Sequence, residues 1–300
     1  MEQYRDIIVK QYKEMHKDYH YVLPSIQIRG MTSLHLLMDL PYSKKRLDHV
    51  IKEMKQSASM WSYVRRGIRY TLAPMWLAMN TNIPTYLKQY DTLIQAKFPR
   101  AEETYIGALY VENEAHAVRA SQYYTKMKQT FPILTTPDDI PFAVLLMSDR
   151  EDVDEVVHIV KQYVNEMKSN GWKKSNETLW VAQLLAMHVG IFDPSWIERM
   201  QYYADRCHQL GLREKRQRYV IYALMAVAQF TSQQVTDTYN LYELLKKEKG
   251  FQTYRHFTLL IAYQKIFNET SEPLEVAVFT TIQAVLSSQQ TAMTTMIVTT

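Results

Sequence analysis

Three marks recur in the same order along this chain, and their spacing is the strongest constraint on its fold. An alanine inside an apolar run returns every 35 to 41 residues, at Ala73, Ala108, Ala143, Ala182, Ala223 and Ala262. A tyrosine in a more polar segment returns every 33 to 40 residues, at Tyr90, Tyr123, Tyr163, Tyr202 and Tyr242. A closing apolar residue returns every 33 to 41 residues, at Trp61, Phe98, Phe131, Trp172, Leu212 and Phe251. Because the three series shift together, they indicate an internal repeat.

The scarcity of glycine favours helices as the repeated element. The 300 residues include only 7 glycines, whereas sheets and barrels use glycine at many turns because it adopts positive φ without steric cost. Gly171, Gly211 and Gly250 immediately precede closing apolar residues. A glycine followed by an apolar residue is typical of a Schellman-type helix stop. Each unit is therefore predicted to be helix A, a short turn, helix B and a second turn.

Local signals place the helices within each unit. Ser148 and Glu151 have the spacing of a capping box, and Asp193-Pro194 offers an N-cap followed by a first-turn proline. The helix B segments have one apolar stripe, illustrated by Val156, Ile159, Val160, Tyr163, Val164 and Met167. The helix A segments are apolar nearly all round, which predicts helices covered on both sides.

These patterns predict an all-α protein, an α-solenoid of helical-hairpin repeats resembling a TPR or HEAT superhelix with a concave face. We expect one domain over residues 1–300, with about six to seven hairpins. Residues 1–30 would cap the N-terminus, residues 31–272 would form the hairpins, and residues 273–300 would form a C-terminal capping helix and tail. The tail has one charged residue, Glu275, and dimerisation, partner docking or disorder are its alternatives. A compact helical bundle is the alternative for the whole chain.

Composition predicts a cytoplasmic protein outside the membrane. The only cysteine, Cys207, cannot form an internal disulfide, and the charged N-terminus has no apolar core of a secretory signal. No run of about 18 apolar residues is present to span a bilayer. The net charge of +4 is uneven, because residues 1–70 contain 13 Lys and Arg against 7 Asp and Glu.

Several segments are similar to an uncharacterised family of helical proteins from Bacillus and related Firmicutes, catalogued as a domain of unknown function. The matching segments are MWSYVRRGIRY (60–70), DDIPFAVLLM (138–147), YVNEMKSNGWKKSNETLWVAQLLAM (163–187), CHQLGLREKRQRYVIYALMA (207–226) and TTIQAVLSSQQTAM (280–293). The resemblance covers nearly the whole chain and implies a helical fold. It implies no activity, because the family has no known catalytic residues.

The chain contains none of the common phosphate-loop, nucleophile-elbow, HExxH or CxxC motifs, and we expect no cofactor. His16 and His20 are four residues apart, a spacing that places two imidazoles on one helix face. Too few further ligands are identifiable nearby, so we expect solvated or packed histidines and no metal. Cys207 and His208 point about 100° apart on a helix, which favours a packed cysteine over a catalytic pair.

Two groups of residues are candidates for partner binding. The first is aromatic and consists of Trp76, Tyr110, Trp180 and Tyr222, with burial between repeats as the alternative. The second is the basic cluster at a repeat turn, with Arg213, Arg216 and Arg218 beside Lys215. A further basic group, Arg65, Arg66 and Arg69, lies in the N-terminal quarter.

The leading hypothesis is a non-enzymatic scaffold that binds a protein or peptide, because helical arrays offer extended surface and no catalytic motif is present. One alternative is an enzyme whose site is assembled across repeats. The other is a single-stranded nucleic-acid binder that uses the basic N-terminal quarter. Nucleic acid is the less expected partner, because helical-repeat RNA readers keep a tighter period than this chain.

Overall fold

The computed structural model describes residues 1–59, 62–65, 67–79, 82–213 and 215–267, which form fourteen α-helices and no β-strand. The odd-numbered helices are α1 Glu2–Tyr19, α3 Lys44–Ser57, α5 Ile83–Gln95, α7 Glu114–Thr130, α9 Val153–Ser169, α11 Ser195–Gln209 and α13 Ser232–Leu245. The even-numbered helices are α2 Ser25–Leu37, α4 Arg69–Met79, α6 Glu102–Gly107, α8 Ile140–Leu146, α10 Asn176–Val189, α12 Tyr219–Val227 and α14 Arg255–Phe267. The prediction of an all-α protein is confirmed.

The helices form two layers. Each odd helix packs on the even helix that follows it, and both layers continue through contacts such as α7 with α9 and α8 with α10. Every residue of α8 and α12 is buried, whereas α9 is buried along the predicted stripe from Val156 to Met167. The even helices are apolar all round because they are covered by the odd layer and by their own neighbours.

The first and last hairpins pack against each other. Helix α1 contacts α13, and α2 contacts α14. The Ser33 hydroxyl donates to Oε1 of Gln264 at 2.5 Å, and Nε2 of Gln264 donates to the Ser33 carbonyl at 2.5 Å. Nη1 of Arg29 donates to the Thr253 carbonyl at 2.7 Å. The seven helix pairs of the described residues therefore close into a ring with the even helices inside, and the predicted α-solenoid of hairpin repeats, a TPR- or HEAT-like superhelix, is not confirmed.

The recurring tyrosines join one hairpin to the next. The Tyr163 hydroxyl donates to the Ile191 carbonyl at 3.0 Å, in the turn after α10. The Tyr203 hydroxyl donates to the Phe230 carbonyl at 2.8 Å, in the turn after α12. The assignment of Tyr202 to this series was wrong by one residue, because Tyr202 is 51% exposed and Tyr203 is 7% exposed. In the pair Tyr202-Tyr203, the second ring is buried against the turn after α12, whereas the Tyr202 hydroxyl forms an exposed hydrogen bond with the Ser232 hydroxyl of α13 at 2.9 Å.

The predicted glycine stops are confirmed at Gly171 and Gly211, which directly follow the ends of α9 and α11, whereas α13 ends at Leu245 and Gly250 lies in a separate turn after it. Gly171, Gly211 and Gly250 have φ of +82°, +95° and +94°. The Trp172 N–H donates to the Met167 carbonyl at 3.0 Å, and the Leu212 N–H donates to the Cys207 carbonyl at 3.0 Å. These bonds reach back across the last helical turn, as the Schellman motif requires. The closing apolar residues Trp172, Leu212 and Phe251 are buried.

The helix starts follow the sequence signals in one case of two. The Asp193 carboxylate accepts from the Ser195 N–H at 2.9 Å, as predicted for the start of α11. The predicted capping box of Ser148 and Glu151 is wrong, because α9 begins later. Its N-cap is Asp152, whose carboxylate accepts from the Asp154 and Glu155 N–H groups. A carboxylate two and three residues before these N–H groups satisfies both donors, and the partial positive charge of the helix N-terminus stabilises its negative charge.

No helix among the described residues is long and apolar enough to cross a membrane. The predicted C-terminal cap and tail (273–300) lie outside the described residues, as do Trp61 and Arg66.

We expect Gly250→Ala to lower the free energy of unfolding by about 2 kcal/mol more than Gly171→Ala does. Both substitutions place alanine at positive φ, at a cost of roughly 1 kcal/mol. A Cβ at residue 171 meets no atom within 4 Å, whereas a Cβ at residue 250 overlaps the Tyr12 ring of α1. Guanidinium unfolding of the two variants measures the difference, and equal losses would contradict the packing of α1 at the ring closure.

Candidate functional site

The turns that lead from an odd helix to the next even helix lie side by side. Successive helices of a hairpin run in opposite directions, so all even helices begin on the same side of the ring. Lys173, Lys215 and Arg255, from three such turns, line neighbouring cavities there. We call this side the N-terminal mouth. Helix N-termini carry partial positive charge, so the mouth favours anions before any side chain is considered.

A cavity of about 530 Å³ opens at the N-terminal mouth between the turn before α12, helix α13 and the start of α14. We call it the cationic cleft. Its lining residues are Gly211, Leu212, Arg213, Lys215, Gln217, Arg218, Tyr242, Glu243, Lys246, Arg255 and His256. Among these described residues Glu243 is the one carboxylate, and Lys246 Nζ lies 2.5 Å from its Oε1. The remaining cations give the cleft a net positive charge.

Two smaller cavities adjoin the cleft. The first, of about 290 Å³, is lined by Lys173, Lys215, Arg216, Gln217 and Tyr219. The second, of about 20 Å³, reaches toward the ring interior and is lined by Glu177, Trp180, Gln217, Val220, Ile221, His256 and Leu260. Gln217 lines all three cavities and His256 lines two, so these residues mark the point where the cleft meets the interior.

Three cations act on His256: the buried Arg29 and Arg218 and the exposed Lys215. Burial is the largest cause that lowers the pKa of His256, and the positive charges of Arg29, Arg218 and Lys215 lower it further. Glu177 acts in the opposite direction. The shift favours a neutral imidazole near pH 7, with one nitrogen that donates and one that accepts hydrogen bonds.

Arg29 joins the ring closure to this site. Arg29 is 1% exposed, and burial lowers the pKa of its guanidinium to about 10. The guanidinium lies 5.6 Å from the centre of the Tyr254 ring. Tyr254 has φ of +51°, a left-handed conformation that costs a side-chain-bearing residue energy. The contact between Arg29 and Tyr254 lies directly before Arg255 and His256, so it orders the start of α14.

The predicted basic cluster lies in this region. Arg213 and Arg218 line the cationic cleft, and Arg216 lines the adjoining cavity. Sequence reasoning missed Lys246, Arg255 and His256, which come from the next hairpin. The signal that could have found them is the group of lysines at residues 246, 247 and 249 before Gly250, because equivalent turns of adjacent hairpins lie next to each other.

The predicted aromatic group is not gathered on one surface. Trp76, Trp180 and Tyr222 are buried, next to Tyr86, Phe142 and Trp172 respectively. Tyr110 is half-buried in the turn after α6. Trp180 also lines the small cavity behind His256. These placements favour the core alternative that the sequence left open.

The other sequence candidates are occupied by local contacts. The His16 and His20 rings stack at 5.2 Å, and the described residues contain no cluster of three or more potential metal ligands. Cys207 is buried, which raises the pKa of its thiol to about 12. Nε of Arg65 donates to the Ala58 carbonyl at 2.9 Å, and the Arg69 guanidinium donates to the Arg65 carbonyl.

The fold and the site define a ring of helical hairpins with an anion-attracting cleft at one mouth. The chain belongs to a family described as "Protein of unknown function (DUF4003)", whose model matches residues 11–291. The resemblance to a domain of unknown function is thereby confirmed, and its expected Firmicutes origin stays a prediction. No curated protein and no solved structure matches the chain.

A buried acid, Asp139, lies in the interior away from these cations. Its residue is 2% exposed, and its carboxylate accepts from Nε2 of Gln183 at 2.7 Å and from the Thr136 N–H at 2.9 Å. Burial raises the pKa of Asp139 from 3.8 to about 7, although both hydrogen bonds oppose the shift. The folded state therefore binds a proton that the unfolded state releases between these two values.

We expect the free energy of unfolding to fall as pH rises from about 4 to 7, relative to the variant Asp139→Asn. A raised carboxyl pKa stabilises the fold below the unfolded pKa, and this stability is lost as pH rises through the folded pKa. The slope contributed by one group is at most about 1.4 kcal/mol per pH unit. Denaturant unfolding at several pH values measures it, and parallel profiles for the two proteins would rule the effect out.

Proposed function

We propose that this protein is a non-enzymatic binding protein whose cationic cleft receives an acidic segment of a partner protein. The observation that supports it most is the charge of the cleft. Among its described lining residues Glu243 is the one carboxylate and is paired with Lys246, so the cations Arg213, Lys215, Arg218 and Arg255 remain in excess. Attraction between a cationic surface and an acidic segment speeds encounter and disfavours other partners.

The size and exposure of the cleft suit a peptide. A volume of about 530 Å³ lies within the usual range of about 300–1,000 Å³ for ligand sites. Arg213, Lys215 and Arg255 are exposed at its rim, so their charges reach solvent. The cytoplasmic location and the helical-repeat scaffold role predicted from the sequence belong to the same proposal.

The competing functions have less support at this site. An enzyme assembled across repeats would use His256 and the half-buried Glu177, which both line the small inner cavity. A nucleic-acid binder would use the N-terminal quarter, but Arg65 and Arg69 donate to backbone carbonyls there. The cationic cleft lies on other helices, so the two binding hypotheses predict different variants that lose binding.

We expect a fluorescently labelled octaglutamate peptide to bind the wild-type protein at low salt and to weaken as ionic strength rises. The double variant Arg213→Ala/Lys246→Ala removes two charges from the cleft, and we expect about tenfold weaker binding. Fluorescence anisotropy measures both. Lys52→Ala/Lys55→Ala is the matched control, because it removes two exposed lysines from α3 and leaves the cleft intact.

Two results would overturn the proposal. One is no binding of octaglutamate at low salt. The other is tighter binding of an oligouridine probe that survives the cleft substitutions, which would assign the protein to nucleic acid instead.

A further inference from the structure

Arg218 is a buried cation, and no carboxylate of the described part of the chain forms an ion pair with it. It ends the 3-10 turn Arg216–Arg218, and the residue is 6% exposed. One guanidinium nitrogen donates to the Arg213 carbonyl. Its Nε is buried with no acceptor among the described residues. No carboxylate of the described residues lies within 4.0 Å of its guanidinium.

Burial of such a charge is costly. A backbone carbonyl accepts one hydrogen bond but supplies no net negative charge. Buried charges in proteins are normally paired or bound to an ion. Arg218 also lines the cationic cleft, so its guanidinium is within reach of a ligand that enters there.

Further donors converge on the same end of the cleft. Gln217 precedes Arg218 in the turn, and His256 reaches the cleft from the first turn of α14. Lys215 lines the same cleft. The positive charges of Lys215 and of the buried Arg29 both lower the pKa of His256, so both reach this end of the cleft. The donors come from two separate elements, so they can surround an anion from different directions.

We propose that the inner end of the cationic cleft, at Arg218, Gln217 and His256, binds a phosphoryl group. This inference rests on the proposed function and names the chemistry that its partner presents. A phosphoryl group has three acceptor oxygens and a charge of about −1.5 to −2, whereas a carboxylate has two oxygens and one charge. The phosphoryl group matches several convergent donors better than a carboxylate does, and it also suits a guanidinium that no carboxylate of the described residues pairs.

The cavities also orient the ligand. The space behind His256 is about 20 Å³ and is walled by Trp180 and Leu260, which leaves room for no more than one water molecule. The body of the ligand therefore extends outward through the cleft, toward Arg213 and Lys246. A phosphorylated side chain of an acidic segment and a small phosphate monoester both fit this arrangement, since each has its phosphoryl group at one end.

The test compares three octapeptides of the same acidic sequence with phosphoserine, glutamate or serine at one central position. We expect the phosphoserine peptide to bind the wild-type protein at least tenfold more tightly than the glutamate peptide. Inorganic phosphate should compete with it and raise the melting temperature, whereas chloride at equal ionic strength should not. Competition by glycerol 2-phosphate as strong as that of the phosphopeptide would identify a small monoester as the source of the phosphoryl group.

Variants separate this site from the rest of the cleft. Arg218→Met removes the charge but fills the space, and His256→Gln replaces the imidazole by a polar side chain whose donor is displaced from the position of the ring nitrogen. We expect both to fold and to lose the preference for phosphoserine over glutamate. Arg213→Ala/Lys246→Ala should weaken both peptides by the same factor and keep the preference. If Arg218→Met does not fold, His256→Gln and Gln217→Ala test the site.

Equal binding of the phosphoserine and glutamate peptides by the wild-type protein would overturn the phosphoryl site and leave the acidic-partner function standing. A preference that persists in His256→Gln and Gln217→Ala would also overturn it. Failure of all three peptides and of inorganic phosphate to bind would overturn both proposals.

Discussion

The packing of the last hairpin on the first is the constraint on which the rest of the structure depends. Without it, α2 and α14 would each leave an apolar face in water. Ser33 of α2 and Gln264 of α14 exchange two buried hydrogen bonds across this contact. Buried polar groups are costly unless both partners are satisfied, so this pair favours one register of α2 against α14.

Closure also determines where the charges lie. Arg29 on α2 donates to Thr253 in the turn before α14, and the same turn presents Arg255 and His256 to the cationic cleft. An open array would place residue 29 far from residue 253. Because the ring closes, Arg29 of the first hairpin adds positive charge to a cleft whose lining residues come from the last two hairpins. The strained backbone of Tyr254 lies at this junction.

Much of the local structure could be predicted from short-range patterns. Gly171 and Gly211 end their helices as expected because the Schellman stop is a property of a few consecutive residues. The buried stripe of α9 follows from helical periodicity. Two predictions failed by a few residues: Asp152 replaced Ser148, four residues earlier, as the cap, and Tyr203 replaced its neighbour Tyr202 as the buried tyrosine. Neighbouring residues of similar chemistry compete for such positions, and the packing against the next hairpin selects between them.

The candidate site was predictable only in part. The basic cluster around Arg218 is contiguous in the sequence, so composition was enough to find it. Lys246 and His256 belong to the same cleft but arise from other helices. Their approach depends on how adjacent hairpins are aligned, and a repeat period alone does not specify this alignment.

The sequence by itself determined the helices, most of their ends and the repeated pairing, because these depend on interactions between residues close along the chain. Only the tertiary structure decided that the array closes, since closure requires Ser33 to meet Gln264 across 231 positions. Closure follows from the small rotation between successive hairpins, summed over seven pairs. That rotation is set by side-chain packing at each interface, which no local pattern encodes.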